Sequence, residues 1–189
     1  MNNLKDNNVL DVYGTTFPLT MTQQVRYNNR NRIHNEDLAQ HSFIVAYNIL
    51  KICFDYKIPN DIAHNAVAMA IVHDMPEMFT ADIPHNCKVN YPELQSMLSE
   101  IEKTYIHSEI PEVETLFLQY TKIEECVKCE LPVLLVHIGD AISVLQYVNR
   151  EIDHGNNASE MCIIKNEASA RIIKLFNILN DKLNQKVKD

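Results

Sequence analysis

The chain has 189 residues, 46% hydrophobic and 22% charged, a composition that predicts one compact globular domain with a sizeable core. Its three glycines are too few for a β-rich fold with many tight turns, and they exclude a P-loop and a dinucleotide glycine fingerprint. The formal net charge of −8 argues against binding to nucleic-acid polymers, whereas a small anionic substrate is compatible because a bound divalent ion can reverse the field locally.

The N-terminal residues divide into an arm and the start of the folded domain. Residues 1–20 are polar, rich in asparagine and without periodicity, which predicts a loosely ordered arm. Residues 21–189 then form the expected domain. Near its start Arg26 stands beside Tyr27 in a chain that is otherwise acidic, and a guanidinium next to an aromatic ring suits a phosphate with a sugar or base.

The first long helix is predicted from residue 38 to about residue 53, because capping residues precede apolar positions at helical spacing. His41 lies on or beside the apolar stripe of this helix. A lone histidine in that place is more often a satisfied core residue than a metal ligand, so its role depends on the groups that face it.

The second helix, residues 62–73, is apolar nearly all round, which predicts a central, buried position. It ends in His73 and Asp74, and a charge placed against the core must be paired or bound to a metal. Glu77 follows close behind, so a continued helical turn would bring its carboxylate over the same site. The motif thus offers two candidate ligands and one candidate proton-transfer group.

A loop and two amphipathic helices come next. The loop contains Asp82 and Lys88, and loops that leave a buried helix often supply substrate contacts. The two helices are predicted from residue 91 to about residue 107 and over residues 112–120, with acidic residues that are explained by a solvated face.

The most apolar run of the chain, residues 131–145, contains a single carboxylate, Asp140. An aspartate in the middle of a buried helix has few structural explanations, which favours a ligand. His137 lies one turn earlier on the same face and is better placed to support the site than to replace a ligand. A last amphipathic helix is expected over residues 158–186.

These patterns predict an all-α bundle in which three buried helices bring together four candidate ligands. The ligands are His41, His73, Asp74 and Asp140. Two imidazoles and two carboxylates make a mixed nitrogen and oxygen site that suits one divalent Mn, Co, Fe, Zn or Mg ion. Such an ion lowers the pKa of a bound water and polarises a phosphoryl oxygen, so phosphoryl transfer is the chemistry that this set favours.

Five cysteines form an odd, scattered set and no signal peptide precedes them, so we expect free thiols in a reducing cytoplasm. No apolar run approaches the roughly 20 residues that a bilayer requires. The expected protein is cytoplasmic and has no membrane partner.

Three stretches carry a resemblance to a known family. They are residues 36–42 (EDLAQHS), residues 73–84 (HDMPEMFTADIP) with Lys88, and residues 139–141 (GDA). In this order they resemble the HD-domain metal-dependent phosphohydrolases, and most closely the bacterial HD-domain 5'-deoxynucleotidases. The resemblance covers most of residues 26–157. It implies a single-domain helical bundle of the HD type, one divalent ion on the four candidate ligands, a small nucleotide substrate and a homodimer.

The same resemblance implies roles for the remaining motif residues. Glu77 would be the acid/base that positions the attacking water or protonates the leaving oxygen. Arg26 matches a family arginine that meets the phosphate, and Asp82 matches a carboxylate that contacts the nucleoside. Tyr27 stands where the family commonly has a tryptophan against the sugar, which leaves the selection of deoxyribose over ribose open. Lys88 would add positive charge for the phosphate.

The predicted function is therefore a metal-dependent phosphomonoesterase that converts deoxynucleoside 5'-monophosphates to deoxynucleosides and phosphate. A deoxynucleoside triphosphate hydrolase that releases triphosphate stays open, because a related site could admit the longer chain. A catalytically silent HD-type binding module is the alternative from another class. Glu77 argues against that module, since binding alone does not need an acid/base group.

Overall fold

A computed structural model describes residues 17–121 other than 82 and 84, together with residues 128–186, and the regular secondary structure of this part is helical. The predicted all-α fold is confirmed. The helices are α1 (Phe17–Met21), α2 (Leu38–Asp55), α3 (Asn60–Val72), α4 (Glu77–Thr80), α5 (His85–Asn90), α6 (Pro92–Glu109), α7 (Glu114–Thr121), α8 (Leu131–Asp153) and α9 (Ser159–Lys186), with a 3₁₀ turn at Pro111–Val113.

The long helices start and end close to the predicted positions, but the expected loop that contains Lys88 includes two short helices, α4 and α5, and Lys88 itself lies in α5. α2 begins at Leu38 because Asp37 caps it, accepting a hydrogen bond from the backbone N of Gln40 at 2.8 Å. α8 continues beyond the predicted end at residue 145 as far as Asp153. Residues 1–16 lie outside the described part, so the N-terminal arm stays a prediction, although α1 already begins inside its expected range.

α8 is the central helix, and α2, α3 and α9 pack around it. Its apolar face meets α2 and α3 in one core cluster, in which Ile49, Met69, Leu134 and Ile138 are fully covered. Removing one such side chain from water is worth roughly 1.5–3 kcal/mol, so tertiary packing rather than intrinsic helix propensity holds α8 in place.

Gly139 permits the close approach of α8 to α2. A Cβ atom added at this position would lie 3.0 Å from the backbone oxygen of Val45 and 3.0 Å from Ile49 Cγ1. Rotation of a side chain cannot relieve a contact with a backbone atom. Because Asp140 is the next residue and His41 lies one turn before Val45, the same close approach brings two candidate ligands together.

The length of α8 corrects one expectation from the sequence. By length and composition alone this helix could cross a membrane, although no apolar run was expected to reach that size. Inside the fold 61% of its most apolar window is buried, against three neighbouring helices. Its apolar surface is explained by this central position in the bundle.

A second apolar cluster holds the turn that follows α3. Met21 of α1, Val72 at the end of α3 and Phe117 of α7 are buried in it. Since the His73-Asp74 pair comes directly after Val72, this packing fixes the backbone from which both side chains project.

Candidate metal centre

Three helices place the four candidate ligands around one point. His41 comes from the beginning of α2, and Asp140 comes from the middle of α8. The pair His73 and Asp74 follows the end of α3. His41 Nε2 lies 3.4 Å from Asp74 Oδ2 and 3.5 Å from Asp140 Oδ1. His73 Nε2 lies 3.3 Å from the same Asp74 oxygen, and ligand atoms of His41, His73 and Asp140 all lie within 4.8 Å of one another.

Both imidazoles present an Nε2 atom that the protein itself leaves unsatisfied. His73 donates from Nδ1 to the Ala70 carbonyl oxygen at 2.8 Å, so its Nε2 carries a lone pair. His41 Nδ1 lies 3.0 Å from Ser143 Oγ, which orients the second ring. Among the described residues neither Nε2 has a hydrogen-bond partner, although both are buried. A divalent cation between them would satisfy both atoms, so the donor set fits a metal ion.

The protonation of His41 also suits a ligand. Burial lowers the pKa of His41 to about 4, and the positive charge of Arg26 acts in the same direction. The imidazole is therefore neutral at pH 7 and keeps the lone pair that a metal requires.

The two aspartates stay ionised although they are mostly buried. Burial acts to raise the pKa of Asp74, but His73 and Arg26 hold it well below its usual range. Burial acts in the same way on Asp140, whose pKa Arg171 holds below its ordinary value. The centre therefore offers two negative charges to a cation.

Glu77 follows the ligand pair through a tight turn. Its backbone N donates to the oxygen of Asp74 at 3.0 Å, and α4 begins at Glu77 itself. Lys88 of α5 places its Nζ atom 3.3 Å from Glu77 Oε1, and the two side chains are only 22% and 12% exposed. A mostly buried ion pair of this kind limits the rotamers of the glutamate.

The same lysine lies within the field of other carboxylates. Burial acts to lower the pKa of Lys88, but Glu77, Glu102 and Asp74 raise it above its usual value. Lys88 is therefore charged, and its charge interacts with both Glu77 and the candidate ligand Asp74. Its predicted contact with substrate phosphate stays a prediction.

Arg26 reaches the cluster together with a carboxylate that the sequence did not mark as a site residue. Arg26 Nη1 lies 3.5 Å from Asp74 Oδ2, and its Nε lies 3.8 Å from Glu36 Oε2. A backbone hydrogen bond from Arg26 N to the oxygen of Glu36 at 2.8 Å holds the two segments side by side. Burial raises the pKa of Glu36 to about 7 in spite of Arg26. Among the described residues Nε and Nη1 of Arg26 have no hydrogen-bond partner, which leaves them suited to an oxyanion.

Tyr27 stacks on Tyr147 of α8, with ring centroids 4.3 Å apart and an interplanar angle of 6°. Its backbone has φ 55°, in the left-handed region that bulky residues rarely adopt. The Arg26 Cζ atom lies 5.6 Å from the centroid of the Tyr27 ring, so the pair predicted from the sequence is adjacent in space. Asp82, the predicted nucleoside contact, lies outside the described residues.

Glu151, near the end of α8, binds the loop that follows Arg26 and Tyr27 through hydrogen bonds. This carboxylate is 0% exposed and accepts hydrogen bonds from the backbone N atoms of Ile33 and His34, each at 2.7 Å. The side chain of Asn156 donates to it at 2.7 Å as well. Burial acts to raise the pKa of Glu151, but these hydrogen bonds lower it to about 2.

Arg171 of α9 is a site residue that sequence reasoning missed. Its Nη1 donates to Asp140 Oδ2 at 3.2 Å, on the opposite oxygen from the one near His41. Nothing in an amphipathic helix distinguishes this arginine from other polar residues, and only the packing of α9 on α8 brings it to the centre. His137, one turn before Asp140, has a pKa that burial lowers to about 4, with Arg171 acting in the same direction.

The arrangement combines a cation site with groups that handle protons and anions. Two imidazoles and two carboxylates can hold one divalent ion and leave coordination positions for ligands that are not protein atoms. Glu77 and its partner Lys88 follow the ligand pair in the chain, and Arg26 and Arg171 contact the two acidic candidate ligands. This combination suits metal-assisted hydrolysis of a phosphate ester.

Comparison with known proteins agrees with this chemistry. A family model described as 5'-deoxynucleotidase YfbR-like matches residues 18–181, a range that includes the four candidate ligands and Glu77. No curated protein matches the chain.

Solved structures of the same fold match nearly the whole chain. A protein from Pyrococcus horikoshii is 25% identical, with a TM-score of 0.67 over 89% of this chain and 94% of its own. An HD-domain phosphohydrolase from Listeria innocua is 22% identical, with a TM-score of 0.67 over 96% of this chain and 90% of its own. The cyanophage S-2L HD phosphohydrolase, solved with dA and one catalytic Zn²⁺ ion, is 18% identical, with a TM-score of 0.64 over 92% and 96%. The chain has the fold of these proteins.

Proposed function

We propose a role for each site residue, starting from the fact that the chain belongs to the YfbR-like 5'-deoxynucleotidase family. The protein is a metal-dependent phosphohydrolase that removes the 5'-phosphate of deoxynucleotides, and the family resemblance found in the sequence is confirmed. The proposal concerns the part that each side chain takes and the substrate that it favours, a deoxynucleoside 5'-monophosphate.

His41, His73, Asp74 and Asp140 hold one divalent ion in this proposal. The observation that carries it is the pair of buried Nε2 atoms, each without a hydrogen bond among the described residues, that face two ionised carboxylates. When bound, the ion supplies a water of lowered pKa and polarises a phosphoryl oxygen. The hydrogen bonds of the Nδ1 atoms, between His41 and Ser143 Oγ and from His73 to the Ala70 carbonyl oxygen, keep the two rings turned towards the ion.

Glu77 moves the proton in this proposal. Its carboxylate accepts a proton from the attacking water, whose oxygen forms the new bond to phosphorus as the bond to the 5'-oxygen breaks. The same carboxylate can then give the proton to the leaving 5'-oxygen. The ion pair with Lys88 supports this role, because it holds the carboxylate of Glu77 in a defined position beside the candidate ligands.

Arg26 meets the substrate phosphate, and its neighbour Tyr27 borders the sugar. Nε and Nη1 of Arg26, which make no hydrogen bond within the described residues, support the first role, because phosphate oxygens would satisfy both. The stacked Tyr27 and Tyr147 rings give the sugar an apolar wall whose position is fixed by α8. Asp82 is proposed as the nucleoside contact on the resemblance alone.

Purified protein tests the proposal with a panel of nucleotides at each phosphorylation level. After removal of metal by a chelator and reloading with Mn²⁺, Co²⁺ or Zn²⁺, it should release inorganic phosphate from deoxynucleoside monophosphates such as dAMP. The chelated protein should release none. Release of triphosphate alone, and only from deoxynucleoside triphosphates, would contradict the monophosphate substrate.

A second copy of this chain is proposed as the partner, through an exposed apolar stripe on α2. The stripe comprises Phe43, Tyr47, Leu50 and Phe54, which are 71%, 60%, 50% and 84% exposed. Their spacing puts them on one face of the helix, opposite the buried core face. Lys51 and Asp55 beside the stripe carry one charge of each sign, so two copies related by a two-fold axis are complementary in charge.

A cytoplasmic location is proposed as well. Cys53, Cys87 and Cys162 are free thiols, which agrees with a reducing compartment. Recovery of the protein from a secreted or membrane fraction of the producing cells would contradict this location.

A further inference from the structure

Arg171 approaches the metal centre from the solvent side, on the last helix of the chain. Its side chain is 47% exposed and its Nη1 donates to Asp140 Oδ2 at 3.2 Å. Arg26 contacts the other acidic ligand, Asp74, and is only 12% exposed. Each aspartate of the centre therefore has its own arginine, and Arg171 is the more exposed of the two.

The guanidinium of Arg171 has donors to spare. Among the described residues Asp140 is its one hydrogen-bond partner, and a guanidinium carries five N–H donors in a planar fork. Such a fork binds phosphate through two parallel hydrogen bonds, which an ammonium group cannot reproduce. The unused edge of Arg171 is thus suited to an incoming phosphate.

The charges around the centre also call for a third cation. Four carboxylates and two mostly buried cations surround the ligand cluster. They are Glu36, Asp74, Glu77 and Asp140, with Arg26 and Lys88. This set leaves two negative charges when Glu36 is ionised and one when Glu36 is protonated, as its pKa of about 7 allows, so a divalent ion brings the centre only to between neutral and one positive charge. With Arg171 the loaded centre is positive in either state, as the binding of a phosphate anion requires.

We propose that Arg171 binds the substrate phosphate at the mouth of the metal centre, while Asp140 holds its guanidinium in position. The proposal rests on the proposed phosphohydrolase function and adds a phosphate ligand from α9. Once Asp140 shares its charge with a metal ion, it attracts Arg171 less strongly, and the phosphate becomes the stronger partner.

Binding of inorganic phosphate tests this role apart from turnover. The affinity of Mn²⁺-loaded protein for phosphate is measured by calorimetry, and the affinity of metal-free protein for Mn²⁺ is measured separately. Arg171→Ala should raise the phosphate Kd about tenfold or more, as the loss of a charge-assisted contact predicts. Its Kd for Mn²⁺ should change by less than about threefold, because four protein ligands remain. Arg171→Lys should recover part of the phosphate affinity, and the matched control Lys174→Ala, exposed on the same helix, should behave as wild type.

An unchanged phosphate Kd in Arg171→Ala would overturn the proposal. A weakened Mn²⁺ affinity, with phosphate binding retained at saturating Mn²⁺, would overturn it too, because Arg171 would then only position Asp140. If either result is found while the wild-type protein hydrolyses dAMP, only the role of Arg171 is rejected and the proposed function stands. A wild-type protein that neither binds phosphate nor hydrolyses any deoxynucleotide rejects this role and the proposed function together.

Discussion

At the metal centre, one or two neighbours decide what each side chain can do. His73 is a candidate ligand because its Nδ1–H donates to the Ala70 carbonyl oxygen and leaves Nε2 as the atom with the lone pair. The carboxylate of Glu77 is held in position because Lys88 lies 3.3 Å away in a mostly buried pair. The identity of a residue alone would not fix either property.

Replacing Glu77 by glutamine should remove proton transfer and leave the metal ligands in place. We expect turnover of deoxynucleoside monophosphates to fall by about 10²-fold or more, the usual contribution of general acid–base catalysis. The Kd for Mn²⁺ should change little, because Glu77 is not among the proposed ligands. Steady-state kinetics and metal titration together check both parts.

The same substitution at Glu100 on α6 is the matched control. Glu100 is exposed, and within the described part of the chain its carboxylate pairs with Lys103 on its own helix, so turnover should stay at the wild-type level. Wild-type turnover in Glu77→Gln would remove Glu77 from the mechanism.

Local patterns allowed part of the centre to be predicted, and tertiary packing decided the rest. The His73-Asp74 pair and Glu77 could be found because they lie within one turn of chain, and Asp140 because its helix is otherwise apolar. Glu36 and Arg171 could not, since an acidic residue before a helix and an arginine in an amphipathic helix are common. Only the pairing of Arg26 with Glu36, and the packing of α9 on α8, brings them to the site.

At the level of helices, the crossing of α2 and α8 determines whether the centre can form. Gly139→Ala would press a methyl group against the Val45 carbonyl and move the two helices apart. We expect a loss of stability of about 1–3 kcal/mol, reduced by the better helix propensity of alanine. Metal affinity should fall as well, because His41 and Asp140 lie on either side of this contact. Thermal unfolding and Mn²⁺ titration measure the two effects.

Gly155→Ala separates stability from metal binding. Gly155 has φ +97°, and a Cβ atom there meets nothing within 4 Å. Alanine should therefore lower stability through backbone strain, by roughly 1 kcal/mol, while the Kd for metal stays unchanged. Unchanged metal affinity in Gly139→Ala would contradict the link between helix approach and the centre.

The buried Glu151 should make the protein sensitive to acid. Its pKa is about 2 in the folded protein against an ordinary value of 4.5, so it contributes stability that is complete above pH 4.5 and is lost as the pH falls towards 2. Glu151→Gln turns an amide NH₂ towards donor groups and should cost about 1–3 kcal/mol at pH 7. The difference from wild type should shrink as the pH falls towards 3, as denaturant titrations at several pH values would show.

Glu167→Gln, at an exposed position of α9, is the control for that comparison. It should leave both the stability at pH 7 and its pH dependence close to wild type. A constant difference between Glu151→Gln and wild type from pH 7 to pH 3 would contradict the low pKa.

At the level of the whole molecule, the stripe on α2 predicts the oligomeric state. Sedimentation of the wild type at micromolar concentration should give a dimer, and Phe54→Glu should give a monomer because it places a charge in an apolar contact. Ile173→Glu is the matched control, since Ile173 is 64% exposed on α9 and outside the stripe. A monomeric wild type, or a dimeric Phe54→Glu variant, would contradict the stripe as the interface.

The sequence predicted the helical class and most helix positions because apolar spacing, caps and prolines act locally. It did not predict the full length of α8, whose later residues, Tyr147 and Val148, join a separate apolar cluster with Met161 of α9. Burial against a distant segment, rather than the local pattern, explains why this helix continues.

The central place of α8 has a consequence for the order of synthesis. α9 follows α8 in the chain and packs closely along it, with Leu175 and Leu179 buried in the shared core. A growing chain therefore completes its most apolar helix before the helix that covers it has left the ribosome. Any chain that stops before residue 159 would present to the cell a helix with the length and composition of a membrane span. Incomplete chains should thus be substrates for chaperones and prone to aggregation, whereas the complete chain hides the same surface.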